Sequence, residues 1–223
     1  MKAFENIKVH SKILYLFIFS LAGLFLAGSF VMLASQVWGN QFMLSAWGLR
    51  ISSAIQMALM FFLPAYTLIV WSNRNPIDYL NLNTNQIIVY QSLYAIIILA
   101  ISTPFISLLT QWNESMVLPH WLNGLETWMR NLEDSAEETT NLLLSGRAIS
   151  DYLGNLFFIA VIAAIAEEVF FRGVLQKLLI KLFKNRHAGI WLTAFIFSMM
   201  HLQFYGLLDR KSTRLNSSHT LAS

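Results

Sequence analysis

The sequence predicts an all-α membrane protein, a polytopic bundle of about five transmembrane helices. Hydrophobic residues make up 56% of the 223 residues and charged residues only 12%, whereas ordinary soluble domains carry about 25% charge. Several apolar runs approach about 20 residues, the length that crosses the hydrocarbon core of a bilayer. The net charge of +3 does not indicate a nucleic-acid partner, and the absence of cysteine excludes disulfides and thiol catalysis.

Five apolar runs are the predicted spans. They lie at Ile13–Leu33, Ile51–Trp71, Gln86–Leu109, Tyr152–Arg172 and Gly189–Leu207. The first run is too long for the apolar region of a signal peptide, so we interpret it as a span. Pro64 is expected to kink the second span, which neighbouring helices of a bundle can tolerate.

Charged residues in the loops predict the orientation of the spans. Three lysines precede the first span, and a basic group follows the fourth: Lys177, Lys181, Lys184 and Arg186. Basic loops stay on the cytoplasmic side of a membrane. Five spans with a cytoplasmic N-terminus also put the loop after span four in the cytoplasm, so span count and charge agree. We expect a multi-pass protein of the bacterial inner membrane, with its N-terminus in the cytoplasm.

The loop between spans three and four is acidic and is therefore expected outside. Its carboxylates are Glu114, Glu126, Glu133, Asp134, Glu137 and Glu138. Trp121, Leu125, Trp128 and Leu132 recur at helical spacing, which predicts an amphipathic helix along the membrane interface. The pattern favours an ordinary loop helix over a substrate-gating element.

The fourth span carries two adjacent carboxylates, Glu167 and Glu168, followed by Arg172. Ionisable residues inside a span are costly and by default mark a functional site. Glu168 and Arg172 are four residues apart and can form an ion pair on one helical face. Glu167 shares a face with small or aromatic residues: Ala160, Ala163, Ala164 and Phe171. Small residues let another helix approach closely, so we expect Glu167 to face the bundle interior. The alternative is an ordinary ion pair at the membrane boundary.

The fifth span contains Phe197-Ser198-Met199-Met200-His201. Imidazole serves as a general base and as a metal ligand, although a single histidine on an apolar helix can also be a hydrogen-bonded core residue. A carboxylate and an imidazole from facing helices can hold one water molecule between them, which is the arrangement that hydrolysis needs.

Together these two elements resemble the first two motifs of the CPBP family, the CAAX prenyl proteases and bacteriocin-processing enzymes, also called the Abi family. The first is Glu-Glu-x-x-x-Arg at Glu167, Glu168 and Arg172, and the second is Phe-x-x-x-His at Phe197 and His201. The neighbouring sequences, residues 170–176 and 197–203, are also similar to those of the family. The resemblance covers about 50 residues, 157–206.

The resemblance implies an intramembrane endopeptidase that cleaves a membrane-associated or lipidated peptide. Glu167 would activate the attacking water, and His201 would help to hold it. Glu168 and Arg172 would shape the site. The implied partners are the lipid bilayer and a peptide or lipoprotein substrate, with no nucleic acid.

The use of a metal is left open at this point. The family has been described both as a metalloprotease and as a metal-free, glutamate-dependent protease. A divalent metal such as zinc could be held by Glu167 and His201, but a catalytic zinc usually has three protein ligands. No organic cofactor is indicated.

Two other classes of function remain as alternatives. The first is a non-enzymatic membrane protein on the same fold, such as an immunity factor or an assembly partner. The second is a proton-coupled transporter in which glutamate and histidine relay protons. Transport is the less favoured, because spans one to three contain almost no ionisable residues that could continue a proton path.

We divide the chain into three parts. Residues 1–150 hold spans one to three and the acidic loop, and residues 151–208 hold a partial protease core. Residues 209–223 are polar, follow abruptly on a membrane helix and resemble the translation of a sequencing-adapter oligonucleotide. We therefore expect the natural sequence in this chain to stop at about Leu208 and the residues after it to be non-native. The third motif of the family, a second histidine on a later helix, would then be missing.

Overall fold

The computed structural model describes residues 7–72, 74–82, 88–114 and 120–200, and every regular element in these ranges is helical. We number eight helices. They are α1 (Val9–Trp38), α2 (Asn40–Met43), α3 (Ala46–Trp71), α4 (Pro76–Leu80), α5 (Ile88–Glu114), α6 (Asn123–Leu144), α7 (Ile149–Phe183) and α8 (Arg186–Met200). A 3₁₀ turn at His120–Leu122 precedes α6.

Three of the described helices, α1, α3 and α7, are long and apolar enough to cross a membrane. They contain the predicted first, second and fourth spans, and the predicted all-α fold class is confirmed. The predicted third span falls on α5, whose most apolar segment is Ile96–Phe105. The predicted fifth span falls partly on α8, and its last residues, 201–207, lie outside the described ranges.

The chain divides into two compact units, which we describe separately. The first consists of residues 1–84 and 140–200, and the second of residues 85–139 and 201–223. The first unit contains the helices α1 to α4, α7 and α8, and with them both motif segments as far as Met200.

Close backbone contact joins α1 to α3 in the first unit. Ser20, Gly23 and Ala27 form a buried row of small residues on α1. A Cβ atom on Gly23 would collide with the backbone carbonyl of Leu59, so only glycine permits this approach. Such small-residue rows allow helices to pack closely where lipid provides no hydrophobic driving force between them.

Aromatic rings fill the centre of this unit. Phe61 of α3 lies 5.2 Å from the ring of Phe170 and 5.6 Å from that of Phe171, measured between ring centroids. Leu16 of α1 is fully buried in the same cluster. This packing orients α7, because it decides which face of α7 is turned away from the core.

A buried arginine holds the N-terminal end of α7 against α3. The Arg50 side chain is 0% exposed. Its Nε donates to Asn155 Oδ1 at 2.8 Å, Nη1 donates to Asp151 Oδ1 at 3.0 Å, and Nη2 donates to the Leu143 carbonyl at 3.3 Å. Gly154 lies directly beside the guanidinium and leaves room for it. The predicted second span begins at Ile51, and Arg50 was not among the predicted site residues.

A tight hairpin sets α8 beside the C-terminal part of α7. Lys184 ends α7 in the left-handed conformation, with φ at 51°. Asn185 Oδ1 then accepts the backbone N–H groups of His187 and Ala188, at 2.9 and 3.2 Å, and so caps α8. Gly189 packs directly against Ile180, and a Cβ atom there would collide with it. The two helices are thereby brought into contact along the segment that carries the motifs.

In the second unit, α5 is followed by the 3₁₀ turn and the start of α6. The predicted loop helix is present as α6, and the four apolar residues that predicted it, Trp121, Leu125, Trp128 and Leu132, are all exposed. Whether this row lies on a membrane surface or gates a substrate stays a prediction.

Candidate active site

The backbone of α7 changes its hydrogen bonding at the first motif. Residues Glu168–Leu175 form a π-helical segment directly after the α-helical turn that ends at Glu167. The sequence predicts a regular α-helix here, so this is a difference. Its cause can be seen in the buried pairs, which recur every four residues: Phe170 with Phe171, Val174 with Leu175, and Leu178 with Leu179.

A four-residue repeat does not fit an α-helix well. With 3.6 residues per turn, each repeat would drift about 40° around the axis. A wider turn reduces this drift and keeps all three pairs against the core. Two further π-helical segments occur in the described residues, Ala58–Phe62 in α3 and Asn155–Val161 in α7, so this geometry does not by itself mark a functional site.

A cavity of about 320 Å³ lies between α7 and α8. Its α7 wall is formed by Ala164, Glu167, Glu168, Phe171, Arg172 and Gln176, and its α8 wall by Ile190, Thr193, Ala194 and Phe197. The rings of Phe171 and Phe197 meet edge to face, 5.0 Å apart. The two motif segments therefore meet at one cavity, with most of the polar groups on the α7 side.

The two glutamates lie differently in this cavity. Glu168 Oε1 accepts from Arg172 Nη1 at 3.1 Å, which confirms the predicted ion pair, and the side chains of Glu168 and Arg172 are 54% and 74% exposed. Glu167 is half-buried. It lines the cavity together with Ala164 and Phe171, two of the four residues predicted to share its face. The buried alanine of this turn is Ala166, which belongs to the core-facing side instead.

Comparison with known protein families bears on this same helix. Residues 149–217 match the family described as type II CAAX prenyl endopeptidase, Rce1-like. The match confirms the predicted resemblance to the CPBP family. Searches of curated proteins and of solved structures found no match. The matched range continues into residues 209–217, part of the segment predicted to be foreign, and the origin of that segment stays a prediction.

The first of the two motifs that resemble the family lies wholly within the described part of α7, at Glu167, Glu168 and Arg172. Of the second motif, Phe197 is described and lines the cavity. His201 lies one residue beyond the described range, so the water molecule that it would hold together with Glu167 stays a prediction.

Two polar residues of the cavity were not singled out from the sequence. Gln176 follows Arg172 by four residues, and Thr193 precedes Phe197 by four, so each lies one helical turn from a motif residue on the same side of its helix. Thr193 is buried, and its hydroxyl donates to the Gly189 carbonyl at 2.7 Å. Because its proton is used in this way, Thr193 can present only an acceptor to the cavity. Their spacing of four residues from a motif residue could have identified both residues in the sequence.

Binding of the predicted metal would require enough ligand side chains at the cavity. Within residues 7–200 as far as they are described, no three acidic, histidine or cysteine side chains are grouped closely enough to hold a metal ion. The cavity itself offers the two carboxylates Glu167 and Glu168. These are fewer than the three protein ligands of a usual catalytic zinc site. A metal bound by Glu167 together with His201 remains a prediction.

Proposed function

We propose that this protein is an intramembrane endopeptidase that cleaves a membrane-associated or lipidated peptide in the cavity between α7 and α8. The proposal is supported above all by one observation: Glu167 and the Glu168–Arg172 pair line the same cavity as Phe197, the first residue of the second motif. The family description of residues 149–217 supports the same class of activity.

The proposed reaction is hydrolysis of one peptide bond. The Glu167 carboxylate takes a proton from a water molecule, with His201 helping to hold that water. The water oxygen then attacks the carbonyl carbon of the substrate. The proton passes to the leaving nitrogen as the carbon–nitrogen bond breaks. A half-buried carboxylate beside an apolar wall suits this step, because a base in such a site is shielded from bulk water.

The roles of Glu168 and Arg172 are proposed to be architectural and electrostatic. Glu168 engages one guanidinium nitrogen of Arg172, and arginine carries five N–H donors in all. The remaining donors could stabilise the negative charge that develops on the substrate carbonyl oxygen during attack.

Filling the cavity tests its role in substrate binding. Ala164→Trp places an indole beside Glu167, and we expect cleavage of a farnesylated CAAX-type peptide to fall about tenfold or more, because a displaced substrate no longer meets the base in line. The rate is measured on protein reconstituted in liposomes. Ala160→Trp, on an exposed position of the same helix outside the cavity, is the matched control. Equal rates for both variants would place substrate binding elsewhere.

We also propose that α7 ends in the cytoplasm, together with the N-terminus, on the basis of the basic loop after it. The chain contains no cysteine, so single cysteines report sidedness directly. Cysteine at Lys184 is expected to resist an impermeant thiol reagent in intact cells. Cysteine at Asn40, the exposed first residue of α2, is expected to react. The reverse pattern would invert the orientation, and equal labelling would reject it.

A further inference from the structure

The short helix α4 lies in a well-defined turn after α3. The turn begins with the backbone N–H of Arg74, which donates to the Ile69 carbonyl at 3.3 Å. Asn75 Oδ1 accepts the Ile77 N–H at 3.0 Å and caps the helix, and Asn81 ends it with φ at 57°. A capped turn of this kind holds its own shape. Its far side is therefore available to contact another helix.

The first contact with α7 is made by Leu80 at Gly173. Gly173 lies in the middle of the π-helical segment, directly after Arg172. A Cβ atom at this position would come within 2.6 Å of Leu80 Cδ2. Alanine is a much better helix former than glycine. Glycine at this position is unfavourable for the helix, but it leaves the space that the Leu80 side chain occupies.

The second contact lies one turn further along α7, at Lys177. Its Nζ donates to the Tyr79 carbonyl and lies 4.8 Å from the centroid of the Tyr79 ring. Burial raises the pKa of the Tyr79 phenol, and the charge of Arg74 opposes this only in part. The ring is therefore neutral at pH 7, and the contact is a cation–π interaction rather than an ion pair. The same hydrogen bond satisfies a carbonyl at the end of α4.

We propose that α4 is a positioning element of the candidate site. By its contacts with Gly173 and Lys177 it fixes the position of the π-helical turn Glu168–Leu175. Through that turn it also fixes the position of the Glu168–Arg172 pair. One contact lies in the second half of the turn and the other lies two residues beyond its end, and Arg172 is the residue next to Gly173. The inference concerns backbone position, and only its activity measurement rests on the proposed function.

The test is Gly173→Ala, read by amide hydrogen exchange of residues 168–177 in lipid nanodiscs. If Leu80 holds the turn through Gly173, an alanine methyl group displaces the flexible Leu80 side chain from that contact, and exchange should accelerate about tenfold or more. If α4 does not grip this site, alanine should slow exchange, since it favours helix over glycine. The two possibilities thus predict opposite changes in the amide exchange rate. Gly28→Ala is the matched control, because a Cβ atom on Gly28 meets nothing within 4 Å.

A second substitution tests the cause of the effect. Leu80→Ala removes the side chain that packs on Gly173, and exchange of residues 168–177 should accelerate about tenfold. Unchanged exchange in this variant would overturn the proposal. Should Gly173→Ala fail to fold, Lys177→Met provides the second route. It should accelerate exchange of the same residues, and unchanged exchange would likewise reject the grip by α4.

Peptide cleavage shows whether α4 positions the site residues for the reaction or only stabilises helix α7. Gly173→Ala is expected to lower kcat about tenfold while KM stays within about twofold, because a misplaced Arg172 affects the reaction more than substrate binding. Accelerated exchange with full kcat would overturn the positioning role. If the unsubstituted protein did not cleave the peptide, this would count against the proposed function, but it would not affect the conclusion from hydrogen exchange.

Discussion

Glu167→Gln is expected to lower peptide cleavage by about 10²–10⁴-fold, the usual contribution of a general base. Glutamine keeps the size of the side chain but cannot take a proton from water. Because Glu167 lies at the cavity and not in the core cluster, the amount of folded protein should hardly change. The measurement is cleavage of a farnesylated CAAX-type peptide per unit of folded protein, with the folded fraction followed by gel filtration in detergent.

Glu168→Gln is the matched control, one residue further along the same helix. Its pair with Arg172 lines the cavity and is largely exposed there, and ion pairs that water reaches contribute only about 0–1 kcal/mol to stability. The variant should therefore fold, and its activity should fall less than that of Glu167→Gln. A folded but inactive Glu168→Gln beside a fully active Glu167→Gln would reverse the two roles. Full activity in both would reject the protease mechanism and favour a non-enzymatic membrane protein.

Arg50→Met is expected to destabilise the protein by about 3–5 kcal/mol, the range for removing one partner of a buried ion pair. The substitution leaves Asp151 and the Leu143 carbonyl without the guanidinium that they share. Unfolding by denaturant in mixed micelles gives the free-energy difference. The matched control is Arg172→Met, which removes an arginine from an exposed pair and should cost about 1 kcal/mol or less.

A double substitution checks that the buried pair is the cause. Arg50→Met with Asp151→Leu removes both charges, and part of the lost stability should return, since an unpaired buried carboxylate is no longer present. Asp151 also accepts the Ala148 N–H at the start of α7, so the recovery will be incomplete. If the double variant were as unstable as the sum of both single variants, the pair would contribute nothing by itself.

The long helices could be predicted because their signal is contained within each segment. An apolar run of sufficient length is enough to predict α1, α3 or α7. The Glu168–Arg172 pair was equally predictable, since a spacing of four residues puts both side chains on one face. Such local features depend on no other part of the chain.

Features that depend on distant partners were missed. Arg50 looks like an ordinary charge before an apolar run, and its meaning depends on Asp151 and Asn155, about a hundred residues away. The face of Glu167 was predicted in part: Ala164 and Phe171 line the cavity beside it, whereas Ala160 and Ala163 are not among the residues that line it. The rotation of α7 depends on its packing against Phe61. The π-helical turn had a local signal in its pairs of apolar residues, but a regular α-helical spacing of 3.6 residues per turn predicts no such turn.

The length of α7 affects how water could reach the proposed hydrolytic site. Its 35 residues extend about 52 Å, well beyond about 30 Å of hydrocarbon. Glu167 lies about 27 Å from the N-terminal end of α7 by the same rise per residue. If that end begins at one hydrocarbon boundary and the helix stands upright, the carboxylate lies only a few ångströms from the opposite boundary. Hydration from the headgroup layer could then supply each turnover through a short path, without a water channel through the whole bilayer.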